Sequence, residues 1–263
     1  MPSPVVVITG STKGIGLGMA HAFLSRGCRV VVSGRDPQRI EEALETLTRA
    51  APAERILGRA CDVRDPAQVQ ALWDAAIGRF QVIDIWINNA AANSIEQEFW
   101  QHEPEVIRAV TETNLLGTLY GARVAAQGML AQGSGQIYAL EGWGSGGERR
   151  RGSTLYGTSK AAIRYFSRSL AAELRGTRIR FGTINPGLVP TDLLALSTHP
   201  GKEQGTKRFI NLFGDRVETV TPALAARVLA NRRQGARIVW LTPSRMLARL
   251  FAAPFRKRRI IEG

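Results

Sequence analysis

Hydrophobic positions come in two rhythms along this chain. Short runs rich in β-branched residues alternate with longer stretches in which apolar residues recur at helical spacing. Val5–Thr9, Arg29–Ser33, Ile56–Cys61, Ile83–Ile87, Gln136–Leu140, Ile179–Ile184 and Arg237–Leu241 read as strands. Gly14–Arg26, Pro37–Arg49, Pro66–Arg79, Glu103–Leu130, Leu155–Leu174 and Thr221–Asn231 read as helices. Continuously apolar strands separated by helices imply a parallel sheet covered on both faces. The expected fold is therefore α/β, a doubly wound parallel sheet in one domain over residues 1–243. Residues 190–220 are less regular and are expected to form a substrate lid, and 244–263 to form a separate tail. No internal repeat or linker interrupts the pattern.

The chain has 263 residues, 44% of them hydrophobic, enough for one well-buried core. No apolar run approaches the roughly 18–20 residues needed to cross a bilayer. The chain enters its first strand almost at once, without the basic, apolar and small-residue pattern of a secretory leader, so a cytoplasmic location is expected. Cys28 and Cys61 flank strands and read as core thiols in a reducing compartment. The histidines lie far apart and near no other ligand type, so no metal site is expected. The net charge of +13 admits an anionic ligand, a membrane surface or nucleic acid. No nucleic-acid-binding signature accompanies it, and nucleic acid is set aside.

Chemistry first appears after strand one, in Thr9-Gly10-Ser11-Thr12-Lys13-Gly14-Ile15-Gly16. Glycines at Gly10, Gly14 and Gly16 allow a tight turn and close backbone approach. The helix that follows offers free N–H groups and its positive dipole end to a pyrophosphate. A strand, a glycine-rich loop and a helix in that order are the context that makes this a dinucleotide site of the Rossmann type. Strand two ends Val32-Ser33-Gly34-Arg35, with no acid for a ribose diol. Arg35, helped by Lys13, suits a 2′-phosphate, so NADP(H) is the expected cofactor. Asp62, with Val63, is placed to meet the adenine, and Asn88-Asn89-Ala90 to line the cofactor with amide groups.

Tyr156-Gly157-Thr158-Ser159-Lys160 puts a phenol and an ammonium on one helix face. A nearby ammonium and an oxidised nicotinamide would both favour phenolate. In the reducing direction Tyr156 is then the proton donor, and Lys160 also holds the nicotinamide ribose.

Taken in order, the glycine loop, Asn88-Asn89-Ala90, Asn114, Tyr156 and Lys160, and Asn185-Pro186-Gly187 resemble the short-chain dehydrogenase/reductase family over nearly the whole chain. That resemblance implies that Asn114 holds a water in a proton relay to Lys160. It also implies that Pro186, Gly187, Val189 and Thr191 lie along the cofactor, with Thr191 at the carboxamide, and that the protein assembles as a homodimer or homotetramer. The sequence departs from the family at the serine that usually follows strand five, where Gly142 stands. Ser145 is the nearest hydroxyl and the candidate stand-in.

Within the family, Asp84–Ala90, the Glu141–Gly147 loop, Tyr156–Lys160 and Trp240–Leu247 are similar to the chlorophyll(ide) b reductases. This implies NADPH-dependent reduction of the C7 formyl group of a tetrapyrrole to a hydroxymethyl. Ala91, Trp143 and the lack of the membrane spans carried by some members are departures. Arg149-Arg150-Arg151 admits two readings, a partner for a propionate or a solvated loop. The tail, with Met246, Leu247, Leu250, Phe251 and Phe255 beside Arg245, Arg249 and Arg256–Arg259, also admits two. It is a peripheral membrane contact or a subunit interface. A generic carbonyl reductase and a non-catalytic cofactor-binding scaffold are the competing functions.

Overall fold

The structure, a computed structural model, describes residues 3–195, 203–253 and 258–261. Seven strands form one sheet: β1 (Val5–Ile8), β2 (Arg29–Gly34), β3 (Ile56–Ala60), β4 (Ile85–Asn88), β5 (Gly135–Leu140), β6 (Ile179–Asn185) and β7 (Arg237–Val239). The helices are α1 (Gly14–Leu24), α2 (Pro37–Thr48), α3 (Pro66–Phe80), α4 (Pro104–Thr111), α5 (Gly117–Gln132), α6 (Thr154–Glu173), α7 (Asp192–Ala195), α8 (Glu203–Phe213), α9 (Val217–Ala230) and α10 (Pro243–Ala252).

The strand order is β3-β2-β1-β4-β5-β6-β7, and every neighbouring pair is parallel. The doubly wound expectation is met. Alternation along β1 explains the layering. Val6 and Ile8 feed one buried cluster with Met19 and Phe23 of α1 and Leu224 of α9. Val5 and Val7 feed a second cluster with Leu72 and Trp73 of α3, Met129 of α5 and Ile163 of α6. Both faces of the sheet are thus covered, which is what the continuous apolar strands demand. Asp36 and Asp65 cap α2 and α3 by accepting from Gln38 N and Ala67 N, each ahead of a proline at the first helical position.

The chain reverses direction across the sheet between β3 and β4, which lie on opposite sides of β1. The loops after β1 and β4 therefore open a crevice at the carboxyl edge, where ligands of such sheets bind.

Three elements differ from the sequence reading. The single helix expected over Glu103–Leu130 is α4 and α5 joined by a π turn at Glu112–Leu116. Helix α9 starts at Val217 rather than Thr221 and carries Pro222 inside it, because Val220 and Leu224 are fully buried on either side of the proline. The tail contains a helix, α10, which docks on the segment after α8. Arg249 and Arg258 both reach Asp215, and Arg258 also donates to the carbonyls of Leu212 and Gly214. Of the expected lid, α7 and α8 are seen, and residues 196–202 lie outside the described residues.

Candidate active site

The crevice between β1 and β4 is built of glycines where a side chain would not fit. Gly10 has φ +60°, and a Cβ there would lie 2.7 Å from Ala90 Cα. A Cβ on Gly16 would come within 2.6 Å of both Asn89 Nδ2 and Gly10 O. Asn89 ties the two loops together, its amide donating to Thr9 O (2.8 Å) and Gly10 O (2.7 Å). Ser11 Oγ donates to Ile8 O at 2.6 Å and accepts from Ser33 N at 3.0 Å, so its hydroxyl joins β1 to β2. Thr12 packs over Gly34. Helix α1 begins behind Lys13 and Gly14 with no side-chain cap and no acid in its first turn, leaving its N–H groups free for an anion. Thr191 stands 3.3 Å from where a Gly14 Cβ would be, at the same mouth. Gly187, with φ +72°, follows Pro186 and donates to Asn185 Oδ1 at 2.9 Å, and Val189 is buried behind it.

Two of the three polar residues expected at the adenosine end, Lys13 and Asp62, have partners of their own. Arg35 is exposed just past β2 and forms no ion pair among the described residues. Lys13 pairs with Asp192 at 2.6 Å, an exposed contact between side chains 54% and 70% accessible. Asp62 is gripped by Arg64 through both carboxylate oxygens, at 2.6–3.0 Å. That hydrogen bond and the Arg64 charge outweigh burial and hold its carboxyl below the usual range. Val63 is buried against Gly117.

The candidate pair, Tyr156 and Lys160, sits on α6, with Lys160 against the end of β5. Lys160 is buried, donates from Nζ to Leu140 O at 3.2 Å and lies 5.5 Å from the centre of the Tyr156 ring. Burial pushes the ammonium down to about 8, with the charge of Glu141 opposing that shift. Burial pushes the Tyr156 phenol up to about 12. The sequence reading weighed the neighbouring ammonium and expected a lowered phenol. In the protein alone desolvation is the larger effect. At neutral pH the phenol therefore keeps its proton and the lysine its charge, the pairing a proton donor requires.

The π turn places Asn114, which is completely buried. Its amide donates to Ala92 O and Ser159 Oγ (3.0 Å each), and its Oδ1 accepts from Ala92 N at 2.7 Å. Its own carbonyl accepts from Thr118 Oγ1 at 2.7 Å. Ser159 Oγ in turn donates to Tyr156 O at 2.7 Å, so the loop after β4, the π turn and α6 are joined one turn below the phenol. A π turn inside an α-helix commonly marks a functional position.

At the position of the missing serine, a Cβ on Gly142 would lie 2.5 Å from Tyr156 Oη. Residue 142 thus faces the phenol directly. Ser145, the candidate stand-in, is buried with its Oγ donating to Gly142 O at 2.7 Å and 3.3 Å from Glu141 Oε2. A hydroxyl has one proton, so in this arrangement it closes the turn of the loop. Arg150 and Arg151 pair with Glu96 and Glu98, clamping the loop after β5 to the loop after β4. Of the three arginines, only Arg149 makes no ion pair among the described residues.

Sequence reasoning overlooked Glu141, Ser159, Arg64 and Asp192. Glu141 did carry a signal, a carboxylate ending an apolar strand. Ser159 stood inside the Tyr156–Lys160 segment.

A glycine-lined crevice at the switch point of a parallel sheet, with a tyrosine and a lysine on one helix face beside it, defines a class of oxidoreductase. The chain belongs to the short chain dehydrogenase family, which it matches over residues 4–200. It is 35% identical over 97% of its length to a probable chloroplastic chlorophyll(ide) b reductase of Oryza sativa subsp. japonica, covering 53% of that protein. A second chlorophyll(ide) b reductase from the same species is 34% identical over 88% of this chain and 68% of its own length. The chain thus spans about half the length of the first of these relatives. A 3α-hydroxysteroid dehydrogenase of Mediterraneibacter gnavus is 30% identical over 74% of this chain and 77% of its own. Among solved structures, a 3-ketoacyl-(acyl-carrier-protein) reductase from Brucella melitensis complexed with NADH is 26% identical, with a TM-score of 0.79, covering 90% of this chain and 96% of that one.

Proposed function

We propose that this protein is an NADPH-dependent reductase of a formyl or carbonyl group on a large apolar molecule, with chlorophyll(ide) b, reduced to 7-hydroxymethyl chlorophyll(ide) a, as the substrate. The chemistry rests on one observation, Tyr156 5.5 Å from buried Lys160 on one helix face, in a fold that carries the glycine-lined crevice. The substrate rests on similarity to chlorophyll(ide) b reductases across 97% of the chain.

When bound, NADPH supplies the hydride. The free N–H groups at the start of α1 would hold its pyrophosphate, with Gly10, Gly14 and Gly16 giving backbone access. Exposed Arg35 would meet the 2′-phosphate, and Lys13 would join it by exchanging its surface pairing with Asp192. Tyr156 Oη donates its proton to the carbonyl oxygen as charge develops there. Lys160 orients the phenol and stabilises its conjugate base. Asn114 and Ser159 hold α6 against the loop after β4, and the family resemblance would place a relay water at Asn114.

A large substrate is supported by the mouth. Glycine at 142 keeps side-chain atoms away from the phenol, and Ile95, Phe99, Trp100 and Trp143 are exposed on the two loops that Arg150 and Arg151 clamp together. Those pairings leave Arg149 to meet a propionate. The membrane reading of the tail loses two cations, because Arg249 and Arg258 point inward to Asp215. Leu247, Leu250 and Phe251 are exposed on α10, in keeping with a subunit contact in the homodimer or homotetramer that the family implies. A simpler carbonyl or hydroxysteroid substrate is the second reading, favoured by the relative from Mediterraneibacter gnavus.

The test is NADPH oxidation with chlorophyllide b beside a panel of simple aldehydes, ketones and 3-ketosteroids, with products separated by chromatography. The 7-hydroxymethyl product, formed well above panel rates, is expected. Turnover of the panel alone would retain the chemistry and remove the tetrapyrrole.

A further inference from the structure

Glu141 directly follows β5, and its side chain is wholly shielded from solvent. One buried carboxylate here joins five residues from four parts of the fold. Oε1 accepts from Arg164 Nη1 at 2.9 Å and from Thr183 Oγ1 at 2.7 Å. Oε2 accepts from Arg237 Nε and Nη2 at 2.8 Å each and from Asn185 Nδ2 at 3.3 Å, and Ser145 Oγ lies 3.3 Å away. Two arginines and two neutral donors satisfy the carboxylate. Those hydrogen bonds and charges outweigh burial, which alone would raise it, and hold it below the usual range.

Three of its partners lead to the candidate active site. Arg164 lies one helical turn beyond Lys160, on the same face of α6. Asn185 turns its Oδ1 to Gly187 N, at the loop expected along the cofactor. Ser145 Oγ fixes the carbonyl of Gly142, the residue that faces Tyr156 Oη. Lys160 itself is bonded to the carbonyl of Leu140, the residue before Glu141.

We propose that Glu141 is a positioning residue: it holds the loop at Gly142, the end of β6 and helix α6 in one arrangement, and so sets where Tyr156 and Lys160 stand and how their charge is balanced. It acts through its neighbours and does not touch the reacting atoms. The titratable and charged groups around it are Arg164 and Lys160 from α6 and Arg237 from β7. Strand β6 and the loop after β5 contribute only Thr183, Asn185 and Ser145. This inference rests on Tyr156 and Lys160 being the proton-moving pair.

The experiment uses the protein labelled with ¹⁵N-lysine. The chain has only five lysines, Lys13, Lys160, Lys202, Lys207 and Lys257, and Lys160→Met assigns the signal. The titration midpoint of Lys160 is followed in the cofactor-free protein, for which no substrate is needed. In Glu141→Gln the midpoint is expected to move to lower pH, because the one charge that raises it is gone. Glu141→Asp should return it towards the wild-type value. With a turned-over carbonyl substrate, kcat should fall on the order of tenfold in Glu141→Gln, with its alkaline limb shifted in the same direction. If Glu141→Gln does not fold, Glu141→Gln/Arg237→Gln removes one of the two opposing charges, leaving only Arg164, whose side chain is 31% accessible and can be solvated. The charge that raises the Lys160 midpoint is that of Glu141, so the midpoint is still expected to fall. An unchanged midpoint in a folded variant would overturn the proposal. A wild-type protein that reduces no carbonyl would instead remove the proton-transfer reading, while the midpoint still decides whether Glu141 governs Lys160.

Discussion

A Cβ placed on Gly142 would lie 2.5 Å from the hydroxyl of Tyr156, so the residue standing where the family has a serine is also the one whose side chain would crowd the phenol. The backbone of Gly142 does not lie in the left-handed region, so the conflict in a substitution is one of space. Gly142→Ala and Gly142→Ser should therefore fold with near wild-type stability yet displace Tyr156. A loss in kcat of about tenfold to a hundredfold is expected, with NADPH affinity retained. Steady-state kinetics beside a fluorescence titration of NADPH separates the two. A faster Gly142→Ser enzyme would mean that the serine fits and the glycine has no such role.

Asn114 is a stability prediction as well as a functional one. Its side chain satisfies both the N–H and the carbonyl of Ala92 inside the protein. Asn114→Ala strands those groups, which should cost about 2–4 kcal/mol for the two of them. Denaturant unfolding of the variant measures it. A change below about 0.5 kcal/mol would show that water replaces the amide freely.

The buried ammonium of Lys160 gives stability a pH dependence. Its pKa is about 8 in the folded protein and near 10.5 when exposed. Between those values the unfolded chain binds more protons than the folded one, so this group makes stability rise with pH over that window. Its full contribution is at most about 3 kcal/mol. Tyr156 acts in the opposite sense higher up, because its pKa of about 12 exceeds the ordinary value of 10. Stability from that group is lost as pH climbs from about 10 to 12. Lys160→Met should remove the rise between pH 8 and 10, as read from unfolding curves at several pH values. If the variant keeps the rise, it belongs to other groups.

Much of this was legible in the sequence, because it is written locally. Strands in β-branched runs, the glycine loop between β1 and α1, and the Tyr156–Lys160 spacing need only a few consecutive residues. The remainder depends on partners distant in sequence. The π turn around Asn114 depends on Ala92 and Ser159. The pairing of Lys13 spans to Asp192, and the ordering of the tail depends on Asp215. Apolar patterning starts α9 too late for a similar reason: Pro222 signals a boundary locally, yet the helix begins before it, at Val217, with Val220 buried. Glu141 reads as an interruption in an apolar strand until β6, β7 and α6 bring its donors together.

On the proposed reading cofactor choice turns on Arg35, exposed just past β2, a strand that contains no acid. Arg35→Asp should weaken NADPH by roughly tenfold to a hundredfold and weaken NADH little, reversing or erasing the preference. Fluorescence titration with both nucleotides measures this. Equal affinity for NADPH and NADH in the wild type would rule out the 2′-phosphate role.

The most direct measurement is the rate of NADPH-dependent reduction by Tyr156→Phe against wild type, on whichever carbonyl the wild type turns over fastest, with NADPH binding followed in the same preparations. The ring is kept and only the proton donor is removed. A loss of about 10² to 10⁴ in kcat with NADPH affinity unchanged is the predicted result. Turnover within a factor of about three of wild type would contradict the account, because the reaction would then take its proton from some other group.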